Sequence, residues 1–147
     1  MTHLSLAWRP GPRYSAGMRG PADKPSFATF RKALATLEVA FAKPPANDLE
    51  RDCAIQRFEY TFELAWKSAR KQLIWFGRAD VSGSPKPILR AAHEEGLLED
   101  IEAWLGFVEA RTVTSHAYDQ GLAQEVYDAA ERFLPQAREL LARLERA

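Results

Sequence analysis

The sequence is poor in the residues that build covalent cross-links and metal centres. Its 147 residues include one cysteine, Cys53, and three histidines. A single cysteine excludes an internal disulfide, and no Cys or His stands near Cys53 at the spacing of a zinc site. These scarcities favour a reducing compartment. We therefore expect a cytoplasmic protein that needs no bound metal and no cofactor.

Long apolar runs and an excess charge of one sign are also missing. No stretch approaches the roughly 20 apolar residues that cross a bilayer, and the N-terminal residues lack a continuous apolar signal segment, so we expect no membrane partner. Twenty basic and twenty acidic residues cancel, which excludes an overall field for unselective binding of long nucleic acid. The charged residues are distributed unevenly along the chain. Those at 67–90 are mostly basic, and those at 94–109 are all acidic. This pattern predicts two faces of opposite charge.

The chain divides into a tail and one domain. Residues 1–25 mix proline, glycine and scattered arginine without an apolar period, which is typical of a disordered tail. Met18 is an alternative start. Residues 26–147 carry the periodic apolar pattern. The whole chain is 46% hydrophobic, which is enough for one helical domain with a core.

Two helices are predicted in the first half of this domain. Ser26 looks like an N-cap, and apolar residues then recur every three or four positions to Phe41, before two prolines. Asn47 and Glu50 form a plausible capping box for a second, long helix near 49–76, which Gly77 ends.

Three more helices follow. Pro85 at a first helical position predicts a short third helix that Gly96 ends, and the acidic residues from Glu99 begin a fourth. Asp119 can cap a last helix that runs to the C-terminus and that Pro135 should bend. No stretch alternates apolar and polar residues with the period of two that is typical of a β-strand. The predicted fold is therefore all-α, an antiparallel up-down four-helix bundle with the short third helix as an additional crossing helix.

The best candidate chemistry lies in the pattern R-x4-H-x-Y, formed by Arg111, His116 and Tyr118. Arginine is a permanent planar cation shaped for phosphate, histidine exchanges a proton near neutral pH, and tyrosine adds a phenol. Together they indicate a phosphoryl-group site. The structural alternative is a capping and packing cluster at a helix end.

The spacing of the motif limits its backbone. Arg111 and His116 are five positions apart, which on a continuous helix separates them by about 140° around the axis. The two side chains converge only if the helix loosens before His116. Thr114 and Ser115 are weak helix formers, so His116 and Tyr118 are expected in the turn before Asp119.

The predicted second helix carries a polar face that serves as a possible pocket. It includes Glu59, Glu63, Trp66 and Lys67, and Ser115 is the contribution from the turn. Its structural alternative is a solvated face on which Glu63 and Lys67 pair at i,i+4 spacing. The two glutamates also have the spacing to bind Mg²⁺, although Lys67 and Arg57 satisfy them more simply, so no metal site is assigned.

Three stretches carry a family resemblance. They are RFEYTFELAWK at 57–67, SPKPILRAAHEEGLL at 84–98 and WLGFVEARTVTSHAY at 104–118. In this order they resemble the HEPT superfamily and, more narrowly, its nucleotidyltransferase substrate-binding branch. The resemblance extends from about Phe27 to the C-terminus.

The resemblance implies a usually dimeric four-helix bundle encoded beside a minimal nucleotidyltransferase (MNT), the two forming a toxin-antitoxin pair. The HEPT member resembles a ribonuclease through its R-x4-6-H motif, which falls here on Arg111 and His116. In some pairs the MNT partner adenylylates the motif tyrosine, which is Tyr118 in this sequence. One position departs from the family, since Thr112 stands where an asparagine usually follows the arginine.

Two functions remain open at this point. One is a metal-independent ribonuclease toxin, whose substrate is RNA and whose catalytic residues are Arg111 and His116. The other is a noncatalytic subunit that binds a nucleotide or substrate for a separate nucleotidyltransferase. In either case we expect a homodimer, because Trp66, Trp75 and Trp104 exceed what one short bundle needs.

Overall fold

The structure, a computed structural model, describes residues 24–116 and 119–147, and for Ser115 and His116 it describes the backbone alone. No strand occurs in these residues, so the all-α prediction is confirmed. The described residues form five α-helices, and a short 3-10 helix, Val113–His116, follows the fourth of them. The helices are α1 (Ala28–Ala40), α2 (Asp48–Trp75), α3 (Pro85–Glu94), α4 (Ile101–Thr112) and α5 (Gln120–Arg146).

Side-chain contacts between helices give the direction of each one. Arg31 near the start of α1 pairs with Glu145 at the end of α5, and Glu38 near the end of α1 pairs with Arg138 further back in α5. Helices α1 and α5 therefore run antiparallel.

The remaining helices also run antiparallel to their neighbours. Thr61 of α2 donates a hydrogen bond to Ala33 O of α1 at 3.3 Å, and Arg57, one turn earlier, donates to Thr36 O at 3.0 Å, so α1 and α2 are antiparallel. Near the end of α5, Arg143 lies 2.8 Å from Glu99, just before α4 begins. The up-down four-helix bundle is confirmed, and α3 packs across α2 and α4.

Aromatic rings fill the centre of the bundle. Phe133 of α5 lies with its ring centroid 5.3 Å from Phe58 of α2 and 5.6 Å from Trp104 of α4, both in edge-to-face geometry. All three side chains are fully buried. Such pairs add directional packing to the apolar burial that stabilises the bundle.

The predicted helix ends are mostly confirmed. Asn47 Oδ1 accepts from Glu50 N at 2.9 Å, although the Glu50 carboxylate reaches back to Ala46 N rather than to Asn47 N. Asp119 Oδ1 caps α5 by accepting from Leu122 N at 3.1 Å. The prediction for Ser26 is wrong by one position. Helix α1 begins at Ala28 with Phe27 in the N-cap position, and Ser26 Oγ accepts from Ala28 N at 3.3 Å.

Two glycines end helices as predicted. Gly77 and Gly96 have φ values of 93° and 79°. These left-handed conformations, which favour glycine, follow α2 at Trp75 and α3 at Glu94.

The placement of Trp66 on a solvated face of α2 is wrong. Its side chain is only 5% exposed, because α2 contacts all four other helices and so buries more than one stripe of its surface. Trp104 is fully buried as well, and Trp75 is half-buried. The large apolar side chains on which the homodimer prediction was based are therefore mostly buried within one chain.

Two residues of the basic stretch, Arg78 and Lys86, pair with the acidic stretch, so the two charges partly cancel. Arg78 lies 2.6 Å from Asp80, 2.9 Å from Glu95 and 3.2 Å from Glu94. Hydrogen bonds that Arg78 donates to Asp80 first, and then to Glu95 and Glu94, raise the pKa of Arg78 against the opposing effect of burial. Lys86 and Glu109 form a further pair at 3.2 Å. The acidic stretch is thus largely neutralised within the chain.

Some predictions fall on residues that the structure does not describe. The proposed disordered tail lies outside the described residues except for Lys24 and Pro25, and so does the alternative start at Met18. Lys24 Nζ donates to Ala147 O at 3.3 Å and lies 5.1 Å from the Trp75 ring centroid. In the described part of the chain, no helix is both long enough and apolar enough to cross a bilayer.

Candidate functional site

Arg111 lies in the last turn of α4 and points toward α2. Its Nη1 is 3.1 Å from Glu59 Oε2, and its Nε is 3.9 Å from Glu63 Oε1. The Arg111 side chain is 38% exposed and the two glutamates are each 36% exposed. The guanidinium is therefore held from the α2 side while part of it remains open to solvent.

Thr114 ties the turn to the same carboxylate. Its Oγ1 lies 3.1 Å from Glu59 Oε2 and 2.8 Å from Arg111 O. A hydroxyl has one proton, so Thr114 donates to one of these acceptors at a time. Glu59 Oε2 thus contacts both Arg111 and the turn that follows it, a link that sequence spacing did not indicate.

The backbone loosens where the motif spacing requires it. Helix α4 ends at Thr112, and the 3-10 helix that follows ends at His116. This departure from α-geometry confirms the expectation that Arg111 and His116 do not share one continuous helix. The side chains of His116 and Ser115, and all of Tyr118, lie outside what the structure describes. Their roles remain predictions.

Lys67 and Trp66 extend the polar cluster along α2. Lys67 Nζ is 3.4 Å from Glu63 Oε2, as the i,i+4 spacing predicts, and it lies 5.8 Å from the Trp66 ring centroid. Trp66 contributes a buried surface rather than an exposed pocket wall. The two carboxylates, Arg111 and Lys67 sum to zero charge, so the cluster is held together by its own ion pairs.

The proposed partner of Glu59 needs correction. Arg57 donates to the backbone of α1, so it is Arg111 that contacts Glu59. Sequence reasoning missed this pair because the two residues are 52 positions apart. Among the described residues, no group of three or more His, Cys, Asp or Glu side chains is arranged to hold a metal ion.

Thr112, which replaces the usual asparagine, does not reach the cluster. Its side chain is exposed, and its Oγ1 donates to Val108 O at 3.0 Å, one turn earlier in α4. Such back-bonding satisfies the hydroxyl within its own helix. The Thr112 hydroxyl therefore bonds within α4 and not to the described Arg111 cluster.

Two contacts to α2 flank positions 117 and 118 of the motif turn. At one end, Thr114 meets Glu59, and at the other, Gln120 Nε2 donates to Asp48 Oδ2 at 2.9 Å. These two α2 residues are 11 positions apart, which is about 16 Å along the helix. Described residues on both sides of positions 117 and 118 therefore contact the first half of α2.

A groove of about 720 Å³ lies on this half of α2. The described residues that line it come from one α2 face and from the turn, and none is a lysine or arginine. They are Leu49, Asp52, Cys53, Ile55, Gln56, Glu59 and Thr114. The groove shares Glu59 and Thr114 with the Arg111 cluster, so the two form one continuous surface.

Comparison with known proteins places this chain in a family. A family described as nucleotidyltransferase substrate binding protein like matches residues 25–146. A protein of Haemophilus influenzae named probable ribonuclease HepT is 37% identical over 94 residues, which are 62% of this chain and 64% of that protein. The match thus spans less than two thirds of that relative's length.

Two solved structures share the fold. A crystal structure of a Thermus thermophilus protein is 41% identical with a TM-score of 0.69, and covers 78% of this chain and 98% of its own. A Haemophilus influenzae structure, described as revealing the fold of a substrate binding domain of a nucleotidyltransferase, is 29% identical. Its TM-score is 0.73, with 82% of this chain and 99% of its own covered. The match over almost the whole described chain means that this protein belongs to the nucleotidyltransferase substrate-binding-like family.

Proposed function

We propose that this chain is the HEPT-type partner of a minimal nucleotidyltransferase and acts as a metal-independent ribonuclease, the toxin of the pair. The observation that carries the proposal is the half-exposed Arg111 guanidinium, held by Glu59 immediately before the turn that ends at His116. The name of the Haemophilus influenzae relative supports the same activity.

The proposed chemistry uses both motif residues. His116 takes the proton of a ribose 2′-hydroxyl, whose oxygen then attacks the adjacent phosphorus, or as imidazolium it gives a proton to the departing 5′-oxygen. Arg111 stabilises the negative charge that develops on the phosphorane oxygens. The bond from phosphorus to the 5′-oxygen breaks, and a 2′,3′-cyclic phosphate forms. No step calls for a metal ion.

RNA must compete with the ion pairs that Arg111 already forms. A phosphate that pairs with Arg111 competes with the carboxylate of Glu59 at 3.1 Å and, more weakly, with that of Glu63 at 3.9 Å. Because all three side chains are partly exposed, the competition takes place in a screened environment, and Arg111 can exchange one partner for the other.

The partners and location are part of the same proposal. Tyr118 is the residue that a cognate MNT adenylylates, which adds a phosphate that Arg111 can bind in place of RNA. A homodimer is proposed because Val39 and Tyr60 are large apolar side chains that are 71% and 56% exposed. The lack of cysteine pairs and of a spanning helix in the described residues is compatible with a cytoplasmic protein.

A second function is favoured by one observation. The Arg111 cluster is electrically neutral, and its arginine already has carboxylate partners, which suits a noncatalytic subunit that binds a nucleotide or substrate for a separate nucleotidyltransferase. The description of the structurally similar Haemophilus influenzae protein agrees with this alternative.

RNA cleavage by the purified chain separates the two functions. We expect single-stranded RNA to be cut in the presence of EDTA and to carry 2′,3′-cyclic phosphate ends, as the absence of a metal-dependent step requires. RNA that stays intact with micromolar protein would reject the ribonuclease. Nucleotide binding without cleavage would then support the substrate-binding subunit.

A further inference from the structure

The groove along the first half of α2 differs in chemistry from the Arg111 cluster that it adjoins. Asp52 and Glu59 contribute carboxylates, Gln56 an amide, and Leu49 and Ile55 apolar surface. The described lining contains no lysine or arginine, and the neighbouring Arg51 is already paired with Asp48 and Asp52, so the groove disfavours a phosphate. Its volume of about 720 Å³ lies within the range of small-molecule sites.

The arrangement of the lining suits a flat, partly apolar group with hydrogen-bond donors. Leu49 is 78% exposed on the rim, whereas Ile55 is only 4% exposed and forms the floor. Asp52 and Gln56 are four residues apart on α2, so their side chains are neighbours, about 5–6 Å apart at Cβ. A ring that packs against the apolar part therefore meets both polar side chains at its edge.

We infer that this groove binds one unpaired nucleobase of the RNA and prefers bases that carry an exocyclic amine. The inference rests on the proposed function, because it places the base next to the phosphate that Arg111 contacts. Glu59 and Thr114 belong to both the groove and the Arg111 cluster, which makes the two subsites adjacent.

The selectivity follows from the donors and acceptors. An ionised Asp52 only accepts hydrogen bonds, so it pairs with the amine of adenine, cytosine or guanine. The Gln56 amide can donate to the neighbouring ring nitrogen or carbonyl. Uracil lacks an amine, and its N3–H donor is flanked by two carbonyl oxygens, so an Asp52 carboxylate that accepts from N3–H also faces a carbonyl oxygen. Single-stranded RNA is the form in which these base edges are available.

Binding of uncleavable oligonucleotides tests the inference. The probes are fluorescein-labelled 2′-O-methyl octanucleotides of adenine, cytosine or uracil, in which the methyl group blocks the attacking oxygen, and the measurement is fluorescence anisotropy. We expect the wild-type protein to bind the adenine and cytosine probes about tenfold more tightly than the uracil probe. Asp52→Asn introduces a donor for uracil and should bring the ratio close to one.

Two further variants complete the design. Gln56→Ala should weaken binding of the adenine and cytosine probes, because the second contact to the base is lost. Glu102→Gln removes the same charge as Asp52→Asn from an exposed position near the start of α4. It should leave the ratio unchanged, which excludes an effect of net charge alone.

Several results would overturn the inference. Equal binding of the three probes by wild type would do so, as would a preference that survives Asp52→Asn. A change in sedimentation coefficient of the Asp52 and Gln56 variants without a change in base preference would identify the groove as a contact between protein chains instead.

A parallel cleavage assay on unmodified RNA keeps this inference separable from the proposed function. Base-selective binding without cleavage defeats the ribonuclease and leaves the nucleobase subsite in place. Cleavage whose base preference is the same in wild type, Asp52→Asn and Gln56→Ala defeats the subsite and leaves the ribonuclease.

Discussion

Arg111 Nη1 lies 3.1 Å from Glu59 Oε2, a contact between the last turn of α4 and the middle of α2. The same oxygen lies 3.1 Å from the hydroxyl of Thr114, inside the 3-10 turn. One carboxylate oxygen therefore fixes both the arginine of the R-x4-H motif and the start of the turn that leads to its histidine. The relative position of the two motif residues depends on a residue of another helix.

Replacing Glu59 by alanine should slow RNA cleavage more than it lowers stability. The half-exposed ion pair contributes on the order of 1 kcal/mol or less to the free energy of unfolding. Loss of the shared carboxylate, however, lets Arg111 and the turn move, and small displacements of catalytic groups cost roughly 10- to 100-fold in rate. The measurements are kcat for a labelled RNA and the thermal midpoint of unfolding.

Two matched variants sharpen the Glu59 test. Glu59→Gln keeps an oxygen that accepts from Arg111 and Thr114, so it should retain much of the activity. Glu63→Gln alters the longer contact of 3.9 Å and should have a smaller effect than Glu59→Ala. Wild-type kcat in a folded Glu59→Ala protein would show that this carboxylate does not position the motif.

Arg111→Ala or His116→Ala should abolish RNA cleavage and growth inhibition while the bundle stays folded. Arg111 is outside the apolar core and 38% exposed, so its removal leaves the packing of the aromatic cluster intact. Circular dichroism and thermal unfolding serve as the control, with the exposed Arg90→Ala as a matched loss of charge on α3. A fall in the melting temperature by many degrees would instead support the capping and packing interpretation.

Tyr118 should gain AMP when the chain is incubated with its cognate nucleotidyltransferase and MgATP. Intact mass spectrometry should show the addition of one or more AMP units in wild type and none in Tyr118→Phe. The Phe variant keeps the ring and removes only the hydroxyl to which the phosphate is attached. An adduct that persists in Tyr118→Phe, or one that never forms in wild type, would refute this assignment.

Acid should weaken the bundle in part through Glu99. The hydrogen bond from Arg143 holds the pKa of the Glu99 carboxyl below its ordinary value of 4.5. The folded state thus has the lower pKa, and this contribution to stability is fully present above pH 4.5 and is lost as the pH falls through the folded-state pKa. Urea unfolding should therefore show a smaller acid-induced loss in Glu99→Gln than in wild type.

The control for the acid effect is Glu102→Gln, an exposed carboxylate on the neighbouring turn. This variant should lose stability in acid in parallel with wild type. If Glu99→Gln also followed the wild-type curve, the contact of 2.8 Å between Arg143 and Glu99 would contribute nothing to the acid response.

A homodimer predicts twice the 16.6 kDa mass of the chain in sedimentation equilibrium at tens of micromolar protein. Tyr60, which is 56% exposed on α2, is the first position to test, because Tyr60→Lys would bury a charge in an apolar contact between subunits. Glu131→Lys changes an exposed residue on α5 and serves as the control. A wild-type monomer at these concentrations would contradict the proposal.

Local sequence signals predicted the helix ends well. Asn47 and Asp119 cap α2 and α5, and Gly77 and Gly96 follow the ends of α2 and α3. These features depend on residues within a few positions of one another, so they can be predicted from the local sequence. The pattern was less informative for Trp66, because a helix surrounded by four others buries side chains outside its main apolar stripe.

The sequence by itself determined the all-α class, the order of the helices, and the need for the backbone to change before His116, because each is set by local spacing and backbone preference. Only the tertiary structure decided which residues meet Arg111. Glu59 reaches it across 52 positions, whereas Arg57, the partner that the sequence suggested for Glu59, bonds to Thr36 O of α1. That choice depends on the position of α2 relative to α4, which is set in part by the packing of Phe58, Trp104 and Phe133 in the core.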